Sequence, residues 1–269
     1  MSLKIIVCVK PVPDPSHWSE LSLDPVLKTL KREGIPSVVN HLDKHALEEA
    51  LRIKESLGAE ITAISMAPPW AKTNIKETLA MGADRGVLLS DQLFAGSDTL
   101  ATARVLAEGI KKLGHFDLIL MGNLSLDGST GQVGPQLAEL LGLHEVTLVK
   151  ELQVLPNGKL RLTRKLEAED QAAESNMPLL ITVVKEINTP RYTSLLGILE
   201  AEQKEIIVWN IQDLGIDPMQ VGLCGSPTQM ADIFMPELKR RREVLQGEPA
   251  HLVTELIGRL KDSGNLNFL

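Results

Sequence analysis

Short apolar runs alternate with amphipathic stretches through the first half of the chain. "LKIIVCVK" (3–10), "EITAISMA" (60–67), "RGVLLSD" (85–91) and "FDLILMG" (116–122) are rich in branched side chains and lack strict alternation. Runs of this kind predict strands of a parallel sheet covered on both faces. Between them the period lengthens. From Asp43 to Leu57, the residues Ala46, Ala50, Ile53 and Leu57 form one helical stripe. "AKTNIKETLAMGA" predicts a shorter helix ending near Gly82. "GSDTLATARVLAEGIKKLG" predicts another, with Ser97 or Asp98 as N-cap and Gly114 as stop. A fourth carries Val133, Leu137, Leu140 and Leu141 on its buried side. Strands separated by helices imply βαβ units with right-handed crossovers.

After Leu143 the pattern changes. Pro156-Asn157-Gly158 separates two alternating segments, which predicts an antiparallel hairpin. A last buried strand, "PLLITVV", follows. From about residue 200 the chain is rich in turn residues, with one short strand and a final amphipathic helix carrying Val253, Leu256 and Leu260. The fold class is α/β: a parallel sheet with helices on both faces, an added antiparallel hairpin and a C-terminal arm. The expected division is an α/β domain over 1–205 and an arm over 206–269.

Composition narrows the function classes. The 269 residues suffice for a full core in one or two domains. Hydrophobic residues at 43% and charged residues at 23% suit a soluble globular protein. A net charge of −7 argues against a nucleic-acid groove. The basic run Lys239 to Arg242 is flanked by Glu237 and Glu243 and reads as a solvated helix face. Aromatics make up 3%, so aliphatic side chains fill the core and no base-stacking platform is expected. Cys8 lies inside an apolar run, Cys224 near the end, and no Cys or His cluster has metal-ligand spacing. No apolar run reaches the roughly 20 residues that span a bilayer. The N-terminus enters a strand with no signal segment, so a cytoplasmic protein with reduced thiols is expected.

Candidate chemistry concentrates in "FDLILMGNLSLDGSTGQVGPQLAELLG", residues 116–142. Here a strand hands over to a helix through Asp127, Gly128, Ser129, Thr130, Gly131, Gln132, Val133 and Gly134. Parallel sheets bind ligands at the carboxyl ends of their strands. A helix start offers unpaired N–H groups and partial positive charge, which suit a phosphate. Glycines admit close backbone approach, the hydroxyls of Ser129 and Thr130 donate, and Asp127 orients the loop or binds a ribose hydroxyl. The plain alternative is a capped helix with Thr130 as N-cap and Gly134 packed on the sheet. The spacing matches neither G-x-G-x-x-G nor G-x-x-x-x-G-K-[ST]. Asn40 and Asp43 stand beside a helix start, where Asn40 serves a base or sugar, or caps the helix. No G-x-S-x-G elbow is present, and the histidines are scattered.

"IIVCVKPVPD", "NHLDKHALEEALRIKE", "LAMGADRGVLLSD", "LDGSTGQVGPQLAELLG" and "INTPRYTSLLGILEAEQKEI" occur in one order and together resemble the β subunit of electron transfer flavoproteins. The resemblance covers residue 3 to about 207, and "GLCGSPTQMADIF" looks like the same family's C-terminal arm. It implies a Rossmann-like domain, half of an αβ heterodimer, that carries electrons between a dehydrogenase and an acceptor. It places the redox FAD mainly on the α subunit and an adenine nucleotide in the β subunit. That nucleotide is AMP in respiratory members. In an anaerobic branch it is a second FAD, which takes electrons from NADH and splits them between two acceptors. The family's nucleotide-site residues correspond to Cys8, Asn40, His41, Leu42, Asp43, Ala63 and the loop from Leu124 to Pro135. Its dehydrogenase-docking loop corresponds to "PRYTSLLG", giving Arg191, Tyr192 and Leu195, with Leu195 as apolar anchor; read from the residues alone, Leu195 and Leu196 also fit a core. Asn40-His41 replaces a common Asn-Pro, Asn123-Leu124 replaces a basic or glutamine residue, and Ser129 replaces an acidic one. "KREGIPSVVNHLDKHALEEALRIKE", "FAGSDTLATARVLA" and "CGSPTQ" resemble the anaerobic branch more closely, which favours FAD in the β site. The competing reading is a non-redox adenine-nucleotide-binding protein of the same fold that acts without an α partner.

Overall fold

A computed structural model describes residues 2–20, 22–23, 30–31, 34–229, 231 and 243–264. In chain order the strands are β1 (Leu3–Cys8), β2 (Pro11–Pro13), β3 (Ser22–Leu23), β4 (Leu30–Lys31), β5 (Ser37–Val39), β6 (Ala59–Met66), β7 (Arg85–Leu89), β8 (Leu118–Gly122), β9 (His144–Val154), β10 (Leu160–Lys165), β11 (Asp170–Ser175), β12 (Leu179–Val183) and β13 (Ile206–Trp209). The helices are α1 (His41–Leu57), α2 (Lys72–Met81), α3 (Thr99–Leu113), α4 (Val133–Leu141), α5 (Leu195–Gln203), α6 (Ile211–Leu214), α7 (Gly222–Gly225) and α8 (Pro249–Asp262).

The main sheet has the spatial order β11-β10-β9-β12-β8-β1-β6-β7-β13. Every neighbouring pair from β9 to β13 is parallel, while β10 and β11 are antiparallel additions. Successive side chains of β1 serve opposite faces, as a pleated strand requires. Ile5 and Val7 join one core with Ala46, Leu47, Ile75 and Leu79; Ile6 and Cys8 join the other with Val105, Ile110 and Leu137. Both faces are therefore covered by helices. From β1 the chain winds outward through β6 and β7, then returns to place β8 on the other side of β1. That reversal opens a crevice beyond the carboxyl ends of β1 and β8, where such sheets bind ligands.

Three details depart from expectation. Leu57 ends its helix exposed, so the buried stripe of α1 stops at Ile53. The hairpin gains a third strand, β11; its sequence "DQAAES" has no apolar alternation, and ladder bonding to β10 defines it. The short strand after residue 205 is the edge of the main sheet, in register with β7 from Ile206↔Gly86 to Trp209↔Leu89. The compact α/β unit accordingly continues to Asp232, past the expected boundary at 205, and a second unit covers Ile233–Leu269. Within the second unit, α8 exposes Val253, Leu256 and Ile257, and Arg259 pairs with Glu255. The run Lys239–Arg242 lies outside the described residues. Among the described residues no helix is long and apolar enough to cross a membrane.

Candidate functional site

The crevice is built by three chain segments: the exit of β1, the start of α1 and the loop after β8. Asp43 fastens them together. Its carboxylate accepts the Lys10 N–H at 2.8 Å and the Gly122 N–H at 3.0 Å, so it ties the ends of β1 and β8 across the switch point. Asn40 works beside it and is buried. Its backbone N–H donates to the Lys10 carbonyl at 2.9 Å. Its side-chain amide donates to the Leu124 carbonyl at 3.0 Å, and its Oδ1 accepts the Leu126 N–H at 3.3 Å. Asn40 occupies the N-cap position of α1 without a side-chain cap bond, because these loop contacts use its side chain.

Burial pushes the Asp43 carboxyl up to about 7, against the pull of the Lys10 N–H, the Asn40 amide and the Gly122 N–H. The sign of the resulting pH dependence is fixed. Between the ordinary carboxyl value of 3.8 and about 7, the folded chain holds a proton that the unfolded chain lacks. Stability from this group is complete at low pH and falls as pH rises through about 7, with a limiting slope of about 1.4 kcal/mol per pH unit. Asp43→Asn removes that slope. Melting curves of the two proteins across this range should separate as pH rises towards neutral, the wild type losing stability relative to Asp43→Asn; parallel curves would refute the assignment.

The loop itself runs from Asn123 to Gln132. Ser129 and Gly131 adopt left-handed backbone, with φ of 50° and 64°. The Ser129 N–H and hydroxyl both turn inward to the Ser125 carbonyl, at 2.8 and 3.3 Å. Among the described residues, no acceptor is bonded to the N–H of Thr130, Gly131, Gln132 or Val133. These donors lie in the exposed turn that leads into α4. Gly134 is fixed by packing: a Cβ there would stand 2.6 Å from Cγ2 of Thr182 on β12. The N-cap of α4 is Gln132 and makes no side-chain cap bond, so the capped-helix alternative with Thr130 as cap does not describe the turn.

The remaining sequence-derived residues are distributed unevenly. Cys8 is buried at the end of β1; burial, and then the Asp43 carboxylate, hold its thiol well above its ordinary range, so it is a neutral wall. Leu42 is buried and His41 exposed at the start of α1. Burial, His45 and Lys185 hold the His41 imidazole below its ordinary value. Ala63 is wholly buried in β6, in register with Val7. Arg191, Tyr192 and Leu195 lie elsewhere, Arg191 bound to α1 and Leu195 at the start of α5, which packs on α2. Arg191 bonds Glu48 and Glu55, while Tyr192 is 99% and Leu195 76% exposed, and Leu196 is exposed too. That exposure is not core packing.

Lys10 is the residue that sequence reading missed. Its Nζ lies 2.6 Å from Asp127 Oδ1 and 3.1 Å from Ser125 Oγ, over the glycine loop. The signal was a lysine at a strand exit, but its partners stand far away in sequence. Among the described residues no cluster of His, Cys, Asp and Glu is suited to a metal ion. The site thus combines, at the carboxyl ends of β1 and β8, a turn whose N–H groups bond no acceptor among the described residues with the Lys10 ammonium and the Ser125 hydroxyl. Such a donor set suits an anionic group carried by a larger, partly apolar molecule. An adenine nucleotide meets that description.

The model of the electron transfer flavoprotein domain matches residues 28–214. The electron transfer flavoprotein subunit beta of Clostridium acetobutylicum is 43% identical over 97% of this chain and 98% of its own. Subunit CarD of the caffeyl-CoA reductase-Etf complex of Acetobacterium woodii is 42% identical over 97% of this chain and 98% of its own. Protein FixA of Bradyrhizobium diazoefficiens is 38% identical over 89% of this chain and 85% of its own.

Proposed function

Since the chain belongs to the electron transfer flavoprotein family and is a β subunit of it, we propose that it pairs with an α subunit and holds an adenine nucleotide at the switch point of its sheet. The observation that carries this reading is that the loop whose N–H groups from Thr130 to Val133 bond no acceptor among the described residues also holds the Lys10 ammonium, through Ser125 and Asp127. In this assignment the loop Asp127–Gly134 receives the phosphates, and Cys8, Leu42 and Ala63 wall the cleft. Asp43 and Asn40 fix the loop and do not touch the ligand, since their polar atoms are spent on backbone partners. His41, Leu124 and Gly128 complete the rim.

FAD is the preferred nucleotide and AMP the alternative; the sequence features shared with the anaerobic branch support FAD. A flavin bound here would supply reversible two-electron and one-electron chemistry, and with NADH as donor would support bifurcation. The redox FAD of the pair belongs mainly to α. Arg191, Tyr192 and Leu195 form the surface offered to a dehydrogenase, and the exposed apolar side chains there support it. The Acetobacterium relative is named for a complex with a CoA-ester reductase, and that class of enzyme is the first partner to try. The segment after Asp232 is proposed to rest on α.

Co-expression with α tests the reading. The complex should co-purify, be yellow and release two flavins per pair on denaturation and chromatography. One flavin with one AMP would reject FAD in the β site and keep the cradle. A chain ending at Ala231 should fold yet fail to hold α; unchanged co-elution would sink the role given to the C-terminal segment.

A further inference from the structure

The Lys10 ammonium is placed by its own backbone. The Lys10 N–H is held by Asp43 at 2.8 Å, and its carbonyl accepts from Asn40 at 2.9 Å. With both backbone groups clamped at the end of β1, the side chain extends over the loop. There the ion pair with Asp127 is lopsided. The lysine side chain is 44% exposed and that of Asp127 only 5%. The cation therefore lies on the solvent side of its carboxylate, held to the same loop that carries the unbonded N–H groups.

Resting on the nucleotide reading above, we propose that Lys10 is the cation that neutralises the nucleotide's phosphate, and that Asp127 is the carboxylate it exchanges for that phosphate. The phosphate monoester of AMP carries about −1.5 to −2 charge at pH 7 and offers three strong acceptor oxygens, and the pyrophosphate of FAD carries one charge on each of two adjacent phosphates, against a carboxylate's single charge. The half-exposed ammonium reaches such a group without unmaking its backbone clamps. Asp127 then stands near the phosphate as a like charge, and sets a repulsive cost on binding. The pair thus holds the cation in position and tempers affinity.

The test is calorimetric titration of nucleotide-stripped, full-length chain with AMP and with adenosine, at low and high salt. Wild type should prefer AMP. Lys10→Met should weaken AMP binding by roughly tenfold or more, the scale of one charge-assisted bond, leave adenosine unchanged and flatten the salt dependence. Lys10→Arg should restore most of the preference. Asp127→Asn should tighten AMP binding several-fold by freeing the ammonium. Equal AMP-to-adenosine ratios in wild type and Lys10→Met would overturn the role of Lys10 while leaving the cradle in place. Weaker AMP binding by Asp127→Asn would overturn the exchange. A wild-type chain that binds neither ligand would overturn the nucleotide reading itself. Should Lys10→Met melt early, the Asp127→Asn and Lys10→Arg arms decide.

Discussion

Gly131→Val should give a complex that folds and pairs normally but retains no nucleotide in the β site. Gly131 has φ of 64°, and the nearest neighbour of an added Cβ is the Asn123 carbonyl at 3.4 Å. Valine is therefore not excluded by the protein body. It is excluded by the backbone, because a β-branched residue in left-handed conformation is a genuine outlier costing about 1–3 kcal/mol. The loop is exposed, so the chain can relieve that strain by turning the peptide over. The relief disperses the N–H groups of Thr130 to Val133, and each lost charge-assisted bond is worth roughly 1.5–3 kcal/mol. Binding should fall by several orders of magnitude with little change in melting temperature. Gly131→Ala should lie between. Chromatography of the nucleotides released on denaturation is the measurement, and full retention by Gly131→Val would remove the loop from the binding site.

The fold was largely legible because parallel strands covered on both faces write themselves as apolar runs. β1, β6, β7, β8 and β12 each announce themselves in this way, and the caps Asp98 and Gly114 bound α3 where expected. β11 was not legible, since a polar edge strand owes its state to a neighbour's ladder rather than to its own side chains. β13 was read as part of an arm because strand order is a long-range property. At the site, the glycine loop could be found from its composition. The division of labour within it could not. Asn40 and Asp43 read as a base or sugar contact or as a helix cap, and their bonds to Leu124, Leu126, Lys10 and Gly122 add a fastening role that no local pattern announces. Lys10 was invisible for the same reason. Leu195 and Leu196 were open between core and surface, and their exposure settles that point on geometry alone.

The other large effect is expected at Arg191. Its Nε and Nη2 bind Glu48 at 2.8 and 3.1 Å, its Nη1 and Nη2 bind Glu55 at 2.5 and 3.2 Å, and its backbone N–H also donates to Glu48 at 3.2 Å. Glu48 is buried on α1 and shares Arg52 at 3.2 Å. Burial pushes the Glu48 carboxyl up, but the bonds from Arg191 and Arg52 together bring it below its ordinary value. Breaking a buried pair from one side typically costs 3–5 kcal/mol, ~2–3 here because Arg52 stays. Arg191→Ala should thus lower the melting temperature by roughly 5–10 °C. Arg191→Lys should recover only part, since an ammonium cannot fork onto two carboxylates. Adding Glu48→Gln to Arg191→Ala should recover more, by removing the stranded charge. Leu195→Ala makes the contrast. Being exposed at the start of α5, it should alter stability by less than about 0.5 kcal/mol, yet slow electron transfer with a dehydrogenase that docks there. Arg191 would then be the anchor that holds the docking segment to α1, and Leu195 the group that meets the partner. A Leu195→Ala complex with normal transfer kinetics would detach the dehydrogenase from this surface, whereas an unshifted melting curve for Arg191→Ala would show that Glu48 is satisfied without it.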